Sequence, residues 1–344
     1  MKRLIPTILL IFCNVLFAEV SCGDLISKNT TLYRDLWCKT GSFGIKIINS
    51  NVEFDLNGHT IYGNLNPDYF EGVIVDNYDH VIIKNGSING SDVAIVVGSS
   101  NDVIIEDVNI RHLYKPETRI DDKGNPYTPY ITGINIGELA GSPSKGIFIR
   151  NCNFEFIPLP HLDAIMISNS FVEIENIQVH GSSNGVNFGG EVPNYGNGIV
   201  TNSKFSNVAS AGVLVRCSSD VLIKNNRFYR NEIGICSDPN SSGYVKNLVV
   251  EENFINKCNE GIKFYGTMDS EIKKNIIEYK NAGRGIMLIQ QCDDTGSNCF
   301  PSTNNVVKRN KVKAGDMDLQ HDTYSLGNTW KRNKYKQSMG SEIK

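Results

Sequence analysis

The chain has 344 residues, of which 21% are charged, and its 34 basic and 37 acidic side chains leave a formal net charge of −3. This balance leaves no excess of basic residues to hold a nucleic-acid backbone, so nucleic acid is excluded as an expected partner. The length suits either two average domains or one elongated repeat domain, and 31 glycines against 11 prolines favour short strands joined by tight turns.

The first 18 residues have the features of a secretory signal peptide. Met1, Lys2 and Arg3 form a positive start, residues 4–17 are mainly apolar, and Ala18 is a small residue near the expected cleavage point. No later segment reaches the ~18 apolar residues that a membrane helix needs. We therefore expect a secreted or periplasmic protein that has no transmembrane segment after cleavage, and an uncleaved N-terminal anchor is the alternative.

Nine cysteines are present, and Cys13 would leave with the signal peptide. In an oxidising compartment the others can form disulfides. We expect one bond between Cys22 and Cys38, at the N-terminal segment, and one between Cys292 and Cys299, in a polar loop. The remaining four have no assigned partner and match no zinc-binding spacing: Cys152, Cys217, Cys236 and Cys258.

A short pattern recurs along the chain: a small residue, alternating apolar residues, a polar turn and then a second strand rich in Val and Ile. The small residues are spaced by about 22 to 39 positions, which is typical of a coil of about 22 residues with insertions. Because this period is too short for a βαβ unit, the pattern predicts an all-β parallel β-helix. We expect a cap segment at 19–43, about ten coils at 44–335 and a tail at 336–344. Clear examples of the pattern begin at Gly44, Gly72, Gly133, Ala164, Gly185, Gly212, Gly261 and Gly285.

Asparagines form a second repeated feature, at the end of the second strand. Asn tolerates left-handed backbone, and its amide can bond to the coils above and below. We interpret both of the following sets as structural turn ladders. The first set is Asn85, Asp107, Asn151, Asn176, Asn202 and Asn225, and the second set, one position later, is Asn226, Asn253, Asn275, Asn310 and Asn333.

The segments Cys22–Asp24 and Asp55–Ile61 resemble the N-terminal coil of secreted right-handed parallel β-helix proteins of the pectin-lyase-like superfamily. The resemblance implies a right-handed helix. It leaves the chemistry open, because the superfamily includes lyases, hydrolases, epimerases, adhesins and metal-delivery proteins.

Three insertions gather around the central coils. Residues 138–145 and 190–197 each follow a first strand, and residues 114–130 precede one. We expect these loops to wall a groove along the first-strand sheet, where sugar-binding enzymes of the superfamily usually have their clefts. The expected outward column is Lys46, Ile74, Ile95, Asn135, Met166, Asn187, Leu214, Cys236, Lys263 and Met287.

Candidate substrate-binding residues follow from this groove. Asn135, Met166 and Asn187 would form its floor, and Tyr127, Tyr130 and Tyr195 lie on its walls, where aromatic rings stack on sugars. Asn184 and His180 are expected at the same edge. The alternative for the tyrosines is that they hold their own loops in place.

The best candidates for catalysis are His161 and Asp163, because a histidine exchanges protons near neutral pH and a carboxylate two residues away can orient it. The segment Pro160–Asp163 resembles the Asp-Pro-His-Asp motif of alginate C5-epimerases. It departs from that motif in having Leu159 at the first Asp and one extra residue between His161 and Asp163. The alternative is that Asp163 caps a turn in a column that also contains Glu71, Asp92, Thr132, Asn184, Glu260 and Arg284.

Three functions stay open at this point. The first is binding and modification of a polysaccharide or cell-surface glycan, of lyase, hydrolase or epimerase type. The second is a non-catalytic carbohydrate-binding or surface-structural solenoid, and the third is a metal-handling periplasmic protein. Asp121 and Asp122 offer too few oxygen ligands for calcium, so no metal site is predicted, and the sequence indicates neither a cofactor nor an oligomeric state.

Overall fold

The structure is a computed structural model, and it describes residues 19–63, 69–112, 119–120, 126–127, 130–137, 142–157, 162–189, 196–239, 243–279, 283–292, 299–340 and 343. All the regular secondary structure in these residues is β-strand, so the prediction of an all-β chain is confirmed. A typical coil contributes a first, a second and a third strand. Each of these strands pairs in parallel with its counterpart in the next coil, as expected of a solenoid of about ten turns.

The first strands form one 13-stranded parallel sheet. They are β1 (Asp24–Ile26), β4 (Phe43–Ile47), β7 (Glu71–Asp76), β9 (Val93–Gly98), β13 (Ile131–Ile136), β16 (Leu162–Ile167), β19 (Asn184–Phe188), β22 (Ala211–Arg216), β25 (Ile233–Asp238), β29 (Glu260–Tyr265), β33 (Arg284–Ile289), β38 (Met317–His321) and β40 (Ser338–Met339).

The second and third strands form two further faces, which are continuous where β8 (Ile82–Asn89) and β10 (Ile104–His112) run through the bend between them. The other second strands are β2 (Thr30–Thr31), β5 (Glu53–Asp55), β14 (Ser144–Arg150), β17 (Ser170–Glu175), β20 (Asn197–Thr201), β23 (Val221–Lys224), β27 (Val249–Glu251), β31 (Glu271–Lys273), β36 (Val306–Lys308) and β39 (Thr329–Lys331). The other third strands are β3 (Leu36–Trp37), β6 (Thr60–Tyr62), β15 (Asn153–Phe156), β18 (Gln178–His180), β21 (Lys204–Ser206), β24 (Arg227–Tyr229), β28 (Phe254–Asn256), β32 (Ile276–Glu278) and β37 (Lys311–Lys313).

Three short strand pairs lie outside these faces. The pair β11 (Arg119–Ile120) and β12 (Pro126–Tyr127) is antiparallel, as is the pair β34 (Gln291–Cys292) and β35 (Cys299–Phe300). The pair β26 (Val245–Lys246) and β30 (Thr267–Met268) is parallel.

One inward position shows how the coils stack. Its side chains pair coil by coil without a gap from β4 to β38, and all of them are 0% exposed. Such a row gives each apolar side chain similar neighbours above and below, so a single core runs along the whole solenoid. The row is Ile45, Val73, Ile95, Ile134, Ile165, Val186, Val213, Ile235, Ile262, Ile286 and Leu319.

The small residue at the start of each repeat has a steric cause. A Cβ atom on Gly261 would lie 2.5 Å from the carbonyl oxygen of Gly285 in the next coil. Real Cβ atoms do not approach backbone oxygen so closely, and a larger residue would push the two coils apart. The recurring glycine therefore permits the close contact between coils at this bend.

The register of one coil differs from the expectation. Val96, not Ile95, occupies the outward column, and Val93, not Asp92, occupies the column of Asp163. The strand β9 is apolar from Val93 to Val97, so the alternation of polar and apolar residues carries no register there. Ala94 replaces the usual glycine, and its carbonyl faces Gly72 in the coil before.

The two asparagine sets are confirmed as ladders with different geometry. All six members of the first set have left-handed backbone, with φ between 53° and 58°. In the second set each amide oxygen accepts a hydrogen bond from the backbone N–H of its counterpart in the preceding coil, at 2.8–3.0 Å.

Strand pairing extends past both expected ends of the solenoid. The strand β1 pairs with β4, so the expected cap forms a coil, and β40 pairs with β38, so the expected tail adds a strand to the first-strand sheet. The predicted disulfide between Cys22 and Cys38 is present in the cap coil, and that between Cys292 and Cys299 joins β34 to β35. The other four cysteines are buried and form no disulfide within the described part of the chain.

Candidate functional site

The expected site lies on the outer face of the first-strand sheet, where two polar rows run across three neighbouring coils. The register of β13, β16 and β19 aligns the residues of each row at successive positions. The first row is Thr132, Asp163 and Asn184, and the second is Asn135, Met166 and Asn187. The parallel register therefore brings five of the predicted residues into one patch.

The carboxylate of Asp163 is at the centre of this patch and is 0% exposed. One oxygen accepts hydrogen bonds from the backbone N–H of Asn184, at 3.3 Å, and from its side-chain amide, at 2.8 Å. The other accepts one from the amide of Asn187, at 2.7 Å, and one from the hydroxyl of Tyr130. Four donors thus saturate the carboxylate, which is how a buried acidic group is accommodated.

Tyr130 connects the insertion before β13 to this network. Burial of its hydroxyl and the adjacent charge of Asp163 raise the pKa of Tyr130 above its ordinary value, and the positive charge of Arg216 only partly offsets them. The phenol therefore stays protonated at neutral pH and acts as a donor, not as a base. The side chain as a whole is 41% exposed, so the ring is accessible to solvent while its hydroxyl is hydrogen-bonded to the buried Asp163.

The expected groove floor is less open than the sequence indicated. Asn135 is 8% exposed and Asn187 is 3% exposed, and of the three floor residues Met166 alone is half-buried. The amide oxygen of Asn187 is buried and accepts no hydrogen bond within the described part of the chain. A buried acceptor without a protein donor is unusual, and an enclosed water can supply the missing donor.

The remaining predicted site residues are placed as follows. His161 and Tyr195 lie outside the described residues, and of Tyr127 only the backbone is described, in β12. His180 is at the end of β18, on the third-strand face, where its ring nitrogen is 3.1 Å from the hydroxyl of Ser206. The structure therefore does not bring His180 to the Asp163 patch.

The walls of the groove are only partly described. In the chain, the insertions 138–145 and 190–197 follow the first strands β13 and β19, and 114–130 precedes β13, but their role as walls of a groove stays a prediction. Residues 113–118, 121–125, 128–129, 138–141 and 190–195 lie outside the description, and Asp121 and Asp122 are among them.

An open groove on the third-strand face was not predicted. It encloses about 470 Å³ and crosses five coils, from β15 to β28. Its most distinctive outward residues are Lys204, Arg227, Tyr229 and Phe254, and all four are exposed. The signal in the sequence was the alternation in successive third strands, Lys204–Ser206 and Arg227–Tyr229, which puts basic and aromatic side chains outward.

The described residues offer neither a reactive cysteine among Cys152, Cys236 and Cys258 nor a cluster of metal ligands. Burial raises the pKa of the Cys152, Cys236 and Cys258 thiols to about 12, so these groups stay protonated and unreactive. The described part of the chain contains no group of three or more His, Cys, Asp or Glu side chains placed to hold a metal ion. It also contains no helix with the length and apolarity needed to cross a membrane.

Comparison with known proteins supports the architecture. A family model described as the right handed beta helix region matches residues 131–277. The chain therefore has the right-handed parallel β-helix fold. No curated protein matches the sequence of this β-helix.

Solved structures similar to the β-helix have different roles. The surface adhesin PfbA of Streptococcus pneumoniae matches with a TM-score of 0.62 at 17% identity, over 93% of this chain and 82% of its own. The A-module of the mannuronan C-5 epimerase AlgE4 of Azotobacter vinelandii matches with a TM-score of 0.60 at 14% identity, over 92% and 91%. The tailspike of E. coli bacteriophage HK620, in complex with a pentasaccharide, matches with a TM-score of 0.54 at 11% identity, over 92% and 57%. At these identities the likeness concerns the fold.

Proposed function

We propose that this β-helix binds a polysaccharide or cell-surface glycan on the outer face of its first-strand sheet, around Tyr130. The observation that carries the proposal is the Tyr130 ring, which is 41% exposed while its hydroxyl is bonded to the buried Asp163. A ring fixed in this way can stack on a sugar with little loss of side-chain entropy. The amide of Asn187 below the ring donates to the same carboxylate at 2.7 Å and helps to fix this arrangement.

The similar structures support a glycan as the ligand. Among them are a mannuronan epimerase, a surface adhesin and a tailspike in complex with a pentasaccharide. Export of the protein is part of the proposal, because the first 18 residues have the pattern of a signal peptide and two disulfides are present.

Modification of the glycan by proton transfer, with His161 and Asp163 at its centre, is proposed as the catalytic form of this function. In that case Asp163 acts through Tyr130, because its carboxylate is fully enclosed and has no oxygen left to touch a substrate. Tyr130, held in place by Asp163, would contact the sugar, and His161 would be the group that exchanges a proton near neutral pH.

Binding without catalysis is the second candidate. It is favoured by the saturation of Asp163, since four hydrogen bonds from fixed donors are typical of a carboxylate that stabilises structure. A screen of polysaccharides that records both retention and the release of unsaturated or reducing ends separates the two forms. Loss of product release in the His161→Ala variant, with binding retained, supports catalysis.

Substitution of Tyr130 tests the proposed binding surface. We expect Tyr130→Ala to weaken binding of the retained polysaccharide by about tenfold, because the loss of one stacked ring costs about 1–2 kcal/mol. The measurement is isothermal titration calorimetry of the folded variant. Tyr324→Ala removes a 68% exposed tyrosine at the far end of the solenoid and serves as the control. Equal affinity for the two variants would contradict the proposal.

A further inference from the structure

The groove on the third-strand face combines basic, aromatic and amide groups without acidic ones. Its lining contains two side chains of fixed positive charge, Lys204 and Arg227, and no Asp or Glu. Two columns of outward side chains run along the third strands. The first column includes Gln178, Lys204, Arg227 and Phe254, and the second column includes His180, Ser206, Tyr229 and Asn256. The face is therefore locally basic in a chain whose net charge is −3.

Lys204 and Arg227 have no counter-ion among the residues that the structure describes. Lys204 and Arg227 are direct register neighbours in adjacent strands, which lie about 4.8 Å apart. Like charges in such a pair repel each other. Neither side chain forms an ion pair with any residue that the structure describes, and the nearest carboxylates along the second column already bind other cations: Glu155 binds Arg111 at 3.1 Å and Glu278 binds Lys311 at 3.5 Å.

Tyr229 adds an aromatic surface to the same groove. Its hydroxyl accepts a hydrogen bond from the ammonium of Lys257 at 3.2 Å, and Arg230 lies 5.0 Å from the ring centroid. The hydrogen bond from Lys257, together with the charge of Arg230, lowers the pKa of Tyr229. These contacts orient the ring beside Arg227 and extend the positive potential along the groove.

We infer that the third-strand groove is a second binding site, specific for an oligosaccharide that carries carboxylate or sulfate groups. The acidic groups contact Lys204 and Arg227, a sugar ring stacks on Tyr229, and the amides of Gln178 and Asn256 bond to hydroxyls. The groove crosses four intervals between coils, about 19 Å in all, and each interval is comparable to the length of one pyranose unit. This site lies on a different face from Tyr130, so it goes beyond the function proposed above.

The test uses three probes and the purified protein in the Tyr130→Ala background, in which binding at the first-strand face is weakened. The probes are pentagalacturonate, its carboxyl-reduced neutral form, and a chondroitin sulfate oligosaccharide. We expect at least one acidic probe to bind, and the carboxyl-reduced probe to bind about tenfold more weakly or not at all, because the charged contacts are lost. Binding of pentagalacturonate alone or of the sulfated probe alone identifies which acidic group is recognised.

Two variants connect this binding to the groove. Arg227→Ala and Tyr229→Ala are each expected to weaken the acidic probe by about tenfold. The control is Lys313→Ala, which removes an exposed positive charge from the second column outside the groove. Thermal melting confirms that each variant is folded.

Several results would overturn the inference. These are binding of neither acidic probe, equal binding of the carboxyl-reduced probe, or affinities in the two variants equal to that of the control. Tighter binding of duplex DNA with the same dependence on Arg227 would assign the groove to nucleic acid instead. None of these results bears on the proposed binding surface around Tyr130. That surface is tested separately, in protein whose third-strand groove is unchanged.

Discussion

The carboxylate of Asp163 is the most highly connected polar group on the first-strand face. Its removal would leave four donors, from Tyr130, Asn184 and Asn187, without their acceptor. Each buried donor left unpaired costs about 1–3 kcal/mol, although part of this is recovered by rearrangement. The network therefore connects the stability of three coils to the position of the Tyr130 ring.

We predict that Asp163→Ala lowers the free energy of unfolding by about 3 kcal/mol. Urea denaturation measures the change. Asp76→Ala is the matched control, because Asp76 ends a first strand and, among the described residues, its carboxylate accepts a hydrogen bond from its exposed neighbour Asn77 alone. Its loss should cost no more than about 0.5 kcal/mol. A cost for Asp163→Ala equal to that of the control would show that the network does not stabilise the fold.

At the residue scale the sequence predicted the members of the site better than their contacts. Asp163, Asn184 and Asn187 follow from the repeat, because register neighbours are set by its period. The bond between Tyr130 and Asp163 spans 33 positions and depends on the path of a non-periodic insertion. No local pattern encodes that path, so their contact could not be predicted. The enclosure of Asp163 was missed for the same reason.

At the scale of the element, the buried asparagine ladder holds the bend between second and third strands. The side chain of Asn253 is 1% exposed, and it both donates to the carbonyl of Ile223 at 2.9 Å and accepts from the backbone N–H of Asn226 at 2.9 Å. An amide in this position satisfies backbone groups of the coils on either side, which water cannot reach.

We predict that Asn253→Ala lowers the free energy of unfolding by about 2–3 kcal/mol, because a buried carbonyl and a buried N–H lose their partners. The control is Asn256→Ala, three residues further along the same coil. Its side chain faces outward, and its amide forms no hydrogen bond with the described part of the chain. Chemical denaturation compares the two. Similar losses in both variants would mean that the ladder adds nothing beyond a half-buried asparagine.

The strands were predictable because inward apolar and outward polar residues alternate. The prediction failed where this alternation is absent from a strand. In β9 all of Val93 to Val97 are apolar, so the alternation vanished and the register was assigned one residue too early. The third-strand groove was missed because it arises from side chains in successive coils, and its basic character appears only when those coils are aligned.

At the scale of the whole molecule, ion pairs run along the second-strand face across several coils. Lys274 contacts Glu252 at 2.8 Å, and Lys273 lies between Glu271 and Glu251. The hydrogen bond from Lys274 lowers the pKa of Glu252. Burial acts to raise the pKa of Glu271, but the bonds from Lys273 and Lys308 outweigh it and the pKa is lowered.

These shifts predict a loss of stability in acid. Because the folded-state pKa values of Glu252 and Glu271 are below their ordinary value of 4.5, the stabilisation is present above that pH and is lost as pH falls through the folded values. Glu71, whose pKa is raised by burial, acts in the opposite direction at a single site. The melting temperature should therefore decrease below pH 4.5.

The double variant Glu252→Gln and Glu271→Gln tests this account. It should melt at a lower temperature than the parent protein at pH 7, and its melting temperature should change less between pH 5 and pH 3, about the range over which such carboxylates titrate. Added salt should reduce the difference between the proteins, since exposed charges are screened. An unchanged acid slope in the double variant would show that other groups control the transition.

The fold of the whole molecule was the most predictable level, because one core row repeats in every coil and the period is visible in the sequence. The function depends on the outward side chains and on the loops beside them, which differ from coil to coil and follow no period. The most direct measurement is a crystal structure of the protein with an oligosaccharide of the polysaccharide that it retains. The account predicts a sugar ring stacked on the exposed ring of Tyr130. A bound oligosaccharide that leaves the first-strand face empty would contradict it.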